Sequence, residues 1–351
     1  MRVGIDVSEL RPGAIGGVAT ACRLLLDAFR RHIPGADLEV TAFSPGTVVL
    51  PEGVRHRQTG GPARPWRWRR SRQLRAAAHG LDLFHSPVTA FPSLGGLPVT
   101  ATVHELPFVE NARLERGLRA TAQWYWLSRA MGECRALVAP SQATLRQMRI
   151  AHPASAHITT VIPHPAPPAP PSEQHHHDGS ILFVGRLDRR KCVEALLRGA
   201  SDWAGQIRLA GPQTAAGVRR IRDEAARLGL SGRLLLLGPV DEATLDYLYR
   251  QACAVGLVSL SEGFGFPVLE ALARGVPVLV AKGTGAAETG GDAALVVDPV
   301  DPETIRAALR RATDGNYRRE IATAGPRRAL QFPAERAARS YLEVFRRALA
   351  R

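Results

Sequence analysis

Lysine is nearly missing from this chain of 351 residues, standing only at Lys191 and Lys282, while arginine supplies the rest of its 46 basic side chains. That bias is the mark of a GC-rich coding background, so part of the formal charge of +14 is compositional, although the excess still favours anionic partners. Long apolar runs are missing too. No stretch approaches the ~18 residues that a membrane-crossing helix needs, and Met1-Arg-Val-Gly-Ile-Asp6 reads as the start of a strand, not as a leader. A cytoplasmic location is therefore expected. Cysteine is sparse, and Cys22, Cys134, Cys192 and Cys253 have no paired spacing of the kind that holds zinc or forms a redox dithiol. No Asp-x-Asp pair, a common metal-holding motif, occurs in the chain. Acids are absent from Arg55 to Arg75, where arginines crowd Trp66 and Trp68 in Arg64-Pro-Trp-Arg-Trp-Arg-Arg-Ser-Arg72. Arginine pairs with phosphate and tryptophan settles at the headgroup level, so residues 64–75 suit an anionic membrane surface or an acceptor. A basic segment whose tryptophans tuck into a core fits almost as well. Nucleic acid is not expected as a partner, because no recognition motif accompanies the charge.

What the chain does contain is a series of short apolar runs, each handing over to a turn and then to a helical pattern, which is the mark of parallel α/β layers. The length suits two domains of roughly 150 residues. A change of composition separates them: residues 164–179 are rich in proline and carry His175, His176 and His177, which reads as a stiff linker between a domain at 1–163 and another at 180–333. A last helical pattern covers 334–351. Arg2 to Val7 forms the first strand, and a loop longer than packing needs leads through Gly16 and Gly17 into a helix over about Val18 to Arg31. Two later strands, Leu81 to Phe84 and Pro98 to Val103, each run into a histidine, His85 and His104, expected at one sheet edge. A helix over about Leu114 to Glu133 carries Trp124, Tyr125 and Trp126, for which the core is the safer expectation.

The chemistry concentrates in the second domain. The strand Ser180-Ile-Leu-Phe-Val ends at Gly185 and hands over to Arg186, with Lys191 at the next helix start, so two cations stand where a diphosphate is neutralised; Arg189 and Arg190 read as solvated. Further on, Ser259-Leu-Ser-Glu-Gly-Phe-Gly-Phe-Pro-Val-Leu-Glu270 follows the strand-like run Ala254 to Val258 and runs into a helix that Pro267 starts. A strand, a glycine turn and a helix N-terminus present free backbone N–H groups at the carboxyl edge of a sheet, a favourable place for phosphate. Carboxylates there would repel the anion, so Glu262 and Glu270 suit neutral hydroxyls, and phosphate and sugar together fit best. After Val276 to Val280, Gly283-Thr-Gly-Ala-Ala-Glu-Thr289 reads as a loop of small residues, and helices are expected at Pro302 to Thr313 and Tyr317 to Ala324.

Two glutamates separated by seven residues, Glu262-Gly-Phe-Gly-Phe-Pro-Val-Leu-Glu270, followed by Ala271-Leu-Ala-Arg-Gly275-Val-Pro277-Val, resemble the signature of retaining glycosyltransferases of family 4. That resemblance implies the GT-B fold, with two Rossmann-like domains facing across a cleft and a terminal helix that crosses back onto the first. It implies an N-terminal domain for the acceptor and a C-terminal one for the nucleotide sugar. By the same resemblance Arg186 and Lys191 hold the diphosphate, Glu270 the ribose, and Glu262 with the backbone of Gly263, Phe264, Gly265 and Phe266 the donor sugar. Gly16 and Gly17 correspond to the family's paired glycines. His104 matches its strand-end histidine near the transferred sugar, so His104, Glu262, Arg186 and Lys191 form the implied catalytic set. This chain departs from the family's pattern with Glu105 in place of aspartate and Cys192 in place of glycine. The implied activity is retaining transfer, without metal or cofactor, of a hexose from GDP-mannose or a UDP-sugar to a glycan, glycolipid or natural product, and the basic segment at 64–75 suits a peripheral place on the inner face of the plasma membrane. The alternative is a non-catalytic nucleotide-sugar binder or a basic nucleic-acid scaffold on the same fold. A glycosidase is disfavoured because its two carboxylates must flank one scissile bond.

Overall fold

The computed structural model of the protein describes residues 1–61, 72–89, 94–106, 109, 118–168 and 177–350. Residues 64–71 of the arginine and tryptophan segment, the expected helix start from Leu114 to 117, and residues 169–176 of the linker lie outside that set. The chain divides into two compact units, Met1–Pro165 with Phe332–Arg351, and Ala166–Gln331.

The first unit is built on seven strands: β1 (Arg2–Asp6), β2 (Glu39–Ser44), β3 (Arg55–Gln58), β4 (Leu83–Ser86), β5 (Val99–Thr102), β6 (Ala136–Ala139) and β7 (Thr159–Val161). All pair in parallel, in the order β3-β2-β1-β4-β5-β6-β7. Every residue of β4, β5 and β6 is buried. A parallel sheet is covered on both faces, so even the polar His85, Ser86, Thr100 and Thr102 of these strands are buried. The helix Ala334–Ala350 belongs to this unit. Its buried residues Ala337, Ala338, Tyr341, Leu342, Val344, Phe345 and Ala348 form one stripe. Tyr341 and Phe345 meet Phe29 of the helix Gly17–His32 with ring centroids 6.1 and 5.9 Å apart.

The second unit repeats the plan with β8 (Ser180–Val184), β9 (Ile207–Ala210), β10 (Leu234–Gly238), β11 (Ala252–Leu257), β12 (Val278–Ala281) and β13 (Ala294–Val297). Their order is β10-β9-β8-β11-β12-β13, all parallel. In both sheets the chain builds outward on one side of the first strand and then returns to build on the other. The order reverses between β1 and β4 and between β8 and β11, and such switch points are where ligands of doubly wound sheets bind.

Several local expectations change. Gly285–Gly290 is a helix and not a loop, capped by Thr284, whose hydroxyl accepts from the Ala287 N–H; small residues hide its period, and the capping threonine is the local signal. The helix expected to stop at Ala324 runs over Gly315–Ala329, because Pro326 removes one hydrogen bond without ending it. Trp124 and Tyr125 are 41% and 59% exposed and so do not form core. His85 lies inside β4 and is 1% exposed, with Nδ1 2.9 Å from Thr100 Oγ1 and Nε2 3.3 Å from Thr102 Oγ1. It is a satisfied core residue, not an edge residue.

Candidate functional site

Strands β8 and β11 lie side by side, with Leu182 opposite Val255, and the segments that follow them lead to opposite sides of the sheet. Residues 185–192 and 258–265 therefore meet at the switch point. Backbone and side chain lock them together: the Leu260 N–H donates to Arg190 O at 2.9 Å, and Arg190 Nη1 donates to Ser261 O at 2.8 Å. Lys191 Nζ donates to Glu262 Oε2, with side chains only 11% and 15% exposed. Arg190, expected to be solvated, instead clamps the turn that carries Glu262.

Lys191 is aimed by a short turn, Arg189–Lys191, whose cap Asp188 accepts from the Lys191 N–H at 3.2 Å. Cys192 then adopts φ +48 in the left-handed region before the helix Val193–Gly199 begins. A non-glycine residue in that region is strained by about 1–2 kcal/mol, which gives a physical reason for glycine at this position in the resembling family. Arg186 differs from Lys191: it is exposed, and its side chain has no partner among the described residues.

Burial by itself would raise the pKa of Glu262, but the charges of Lys191 and Arg190 and the Lys191 hydrogen bond override it and hold the carboxyl below its usual range. Ser259 Oγ is buried beside that carboxylate without a hydrogen bond of ordinary geometry. The Glu262 carboxyl is thus held in its charged form beside Lys191. A lysine has three N–H donors, so Lys191 can keep Glu262 and still meet a phosphate oxygen.

The glycine turn is shaped by close approach. The Gly285 N–H donates to Glu262 O at 2.7 Å, and a Cβ on Gly285 would lie 2.1 Å from Gly263 O. Gly265 has φ +87, and a Cβ there would stand 2.9 Å from the Ala286 Cβ. Phe264 and Phe266 are 5% and 7% exposed and pack edge to face with centroids 5.2 Å apart. Their rings belong to the protein, so what this turn offers a ligand is main chain. Glu270 follows on the helix Phe266–Ala273 and accepts from the Tyr249 hydroxyl at 2.5 Å. Burial raises its pKa, only partly offset by that hydrogen bond and by Arg274.

The remaining expected residues belong to the first unit. Gly16 has φ +145 and precedes the helix that Gly17 starts, so backbone conformation, not crowding, calls for glycine there. His104 follows β5 and is held on both sides: Nε2 lies 2.8 Å from Pro87 O, and Nδ1 lies 3.3 Å from His164 Nε2. A carbonyl only accepts, so Nε2 carries the proton, and Nδ1 accepts from His164. Burial lowers the His104 pKa to about 4 against the opposing pull of the Pro87 carbonyl. A free N–H for a sugar hydroxyl, as the resemblance implies, is not present on His104 in this arrangement. His164 is 4% exposed and was not singled out in the sequence, where its only signal is its place between Pro163 and Pro165. Among the described residues, no group of three or more His, Cys, Asp or Glu side chains is placed to hold a metal ion.

Comparison with known proteins agrees with this architecture. The family model described as Glycosyltransferase Family 4 matches residues 15–169, and that described as Glycosyl transferases group 1 matches residues 170–328. A curated relative, the O-antigen chain mannosyltransferase B of Escherichia coli, is 36% identical over 163 residues. The match covers 45% of this chain, which spans only 43% of the length of that protein. Among solved structures, the sucrose-phosphate synthase of Thermosynechococcus elongatus superposes with a TM-score of 0.79 at 20% identity, over 99% of both chains. Anabaena HepE, crystallised with UDP-glucose, superposes with a TM-score of 0.73 at 16% identity over 98% of both. These likenesses establish that the two α/β units have the GT-B fold.

Proposed function

The chain belongs to the glycosyl transferases of group 1 and family 4, and from that premise we propose that it moves a hexose from a nucleoside-diphosphate sugar to a glycan, glycolipid or natural-product acceptor. Transfer is retaining and needs no metal, and GDP-mannose or a UDP-sugar is the favoured donor. The mannosyltransferase relative supports the first donor, and the UDP-glucose complex of a structural neighbour supports the second.

The observation that carries this reading is the convergence of Arg186, Lys191, Glu262 and the glycine turn on one switch point. Breaking the bond from the anomeric carbon to the diphosphate builds negative charge on the departing oxygen. Preorganised cations and backbone N–H groups lower that barrier the most. Arg186, exposed and without a partner among the described residues, supplies a bidentate fork. Lys191, fixed by Glu262, supplies a point charge that needs no reorganisation. Glu262 and the main chain of Gly263 to Phe266 orient the donor sugar, and Glu270 accepts from the ribose. His104 bonds a sugar hydroxyl only by exchanging one of its two present partners, Pro87 O or His164, for substrate.

Thermal unfolding of the purified chain with UDP, GDP, ADP and dTDP, without added metal, tests this. One nucleotide at 100 times its Kd should stabilise the protein by about 2.7 kcal/mol, and Arg186→Ala should abolish the shift. No shift with any of the four would turn the reading toward a scaffold without nucleotide.

We place the protein on the cytoplasmic side, in peripheral contact with anionic membrane through residues 64–75. Among the described residues, no helix is long and apolar enough to cross a membrane. The helix Arg72–Ala77 buries Leu74 and Ala77 and exposes Arg72 and Arg75, which supports the contact. Binding to vesicles rich in acidic lipid should weaken with salt and with Arg72→Glu/Arg75→Glu. Equal binding by that variant would remove the proposal.

A further inference from the structure

Glu270 does not stand alone. Tyr249, on the helix Glu242–Gln251, is 1% exposed, and its hydroxyl makes one described hydrogen bond, to Glu270 Oε2 at 2.5 Å. The Arg274 guanidinium lies over the Tyr249 ring, 5.0 Å from its centroid, and donates to Glu270 O at 2.7 Å. Asp246, one turn before Tyr249, holds Arg274 through Nε at 2.9 Å and Nη2 at 2.7 Å. Asp246, Arg274, Tyr249 and Glu270 thus close a frame between two helices. Within it the phenol is kept protonated, first by burial and then by the neighbouring Glu270 charge, so toward that carboxylate it acts only as a donor.

The frame has a chemical consequence. A carboxylate offers two oxygens, and here Oε2 is taken by the phenol, while Oε1 receives no hydrogen bond among the described residues. We propose that Tyr249 is the positioning residue for ribose recognition, fixing the Glu270 carboxylate so that Oε1 is presented to a ribose hydroxyl. This rests on the reading that Glu270 holds the ribose. Tyr249 has no part in the chemistry at the anomeric carbon. It sets how well the protein tells a ribonucleotide from its deoxy counterpart. Without its hydroxyl, the carboxyl loses a fixed orientation and a donor that favours its charged form, the better acceptor.

The test is titration calorimetry of the full chain with UDP, GDP and ADP, each against its 2′-deoxy and 3′-deoxy counterparts. Wild type should prefer the ribonucleotide it binds by about tenfold over at least one counterpart, the worth of a hydrogen bond to a charged group. Tyr249→Phe should cut that preference to about twofold by weakening ribonucleotide binding, with the deoxynucleotide Kd unchanged. A purely structural role would weaken both nucleotides together and leave the preference intact, which would overturn the inference. Tyr249→Met removes the same donor with a flexible filler if phenylalanine is not tolerated. Glu270→Ala separates the two levels of argument. If it keeps the full preference, Glu270 is not the ribose acceptor and the premise falls. If it loses the preference while Tyr249→Phe keeps it, only the role of Tyr249 falls. Failure of every nucleotide to bind wild type removes premise and inference together.

Discussion

Replacing Lys191 by alanine is expected to slow sugar transfer by about two to three orders of magnitude, the usual cost of losing one preorganised donor to developing charge. The same substitution should destabilise the protein by roughly 3 kcal/mol, because it strands one member of a buried ion pair. Lys191 and Glu262 are close to fully covered, and the lysine charge is what keeps Glu262 ionised despite its burial. The contribution of the pair follows the lowered carboxyl pKa: it is present above the ordinary carboxylate range and lost as pH falls through the lowered value. In Lys191→Ala the deficit should therefore be full at pH 7 and shrink toward acid pH, where Glu262 takes up a proton. The double variant Lys191→Ala/Glu262→Gln should recover most of the stability and none of the transfer. Urea unfolding with steady-state assays of both variants checks this. Unimpaired transfer in Lys191→Ala would exclude the assigned role, and a double variant no more stable than the single would exclude the stranded charge.

Acid should destabilise the first unit well before its carboxylates titrate. Burial depresses His85 to about 3, with a smaller push from His104; His104 lies at about 4, and His164 well below its usual value through burial and then the His104 charge. The unfolded chain takes up these protons near pH 6.5, while the folded chain refuses them. Stability is therefore complete above about pH 6.5 and falls as pH drops, by about 1.4 kcal/mol per unit for each neutral buried histidine. At pH 5 each costs roughly 2 kcal/mol, and the three costs add, because the folded chain binds almost none of these protons at that pH. Melting curves from pH 8 to pH 5 should show the loss, and His85→Asn, which keeps a polar partner for Thr100 and Thr102, should remove about a third of it. A melting temperature unchanged between pH 7 and pH 5 would rule this out.

Much of the site was legible because its parts are local. The run Glu262 to Glu270 carries its own turn glycine, helix start and carboxylates within nine residues of chain, and Gly185 to Lys191 does the same for the cations. What was misread depends on neighbours distant in sequence. Arg190 looked solvated until Ser261 arrived 71 residues later to accept from it. His85 and His104 have the same appearance in the chain, yet one is sealed between Thr100 and Thr102 and the other braced between Pro87 and His164.

The sequence by itself determined that there are two α/β layers with buried parallel strands, where each breaks into a turn, and which side chains stand at those turns. Hydrophobic period, glycine and caps act over a few residues, so these features are written where they occur. Tertiary structure alone decided the pairings that give those side chains their chemistry: Lys191 with Glu262, Tyr249 with Glu270, and His104 with His164. The reason is strand order. Placing β8 beside β11 and β4 beside β5 brings together segments far apart in the chain, and the free energy of those contacts exists only once the sheets have formed.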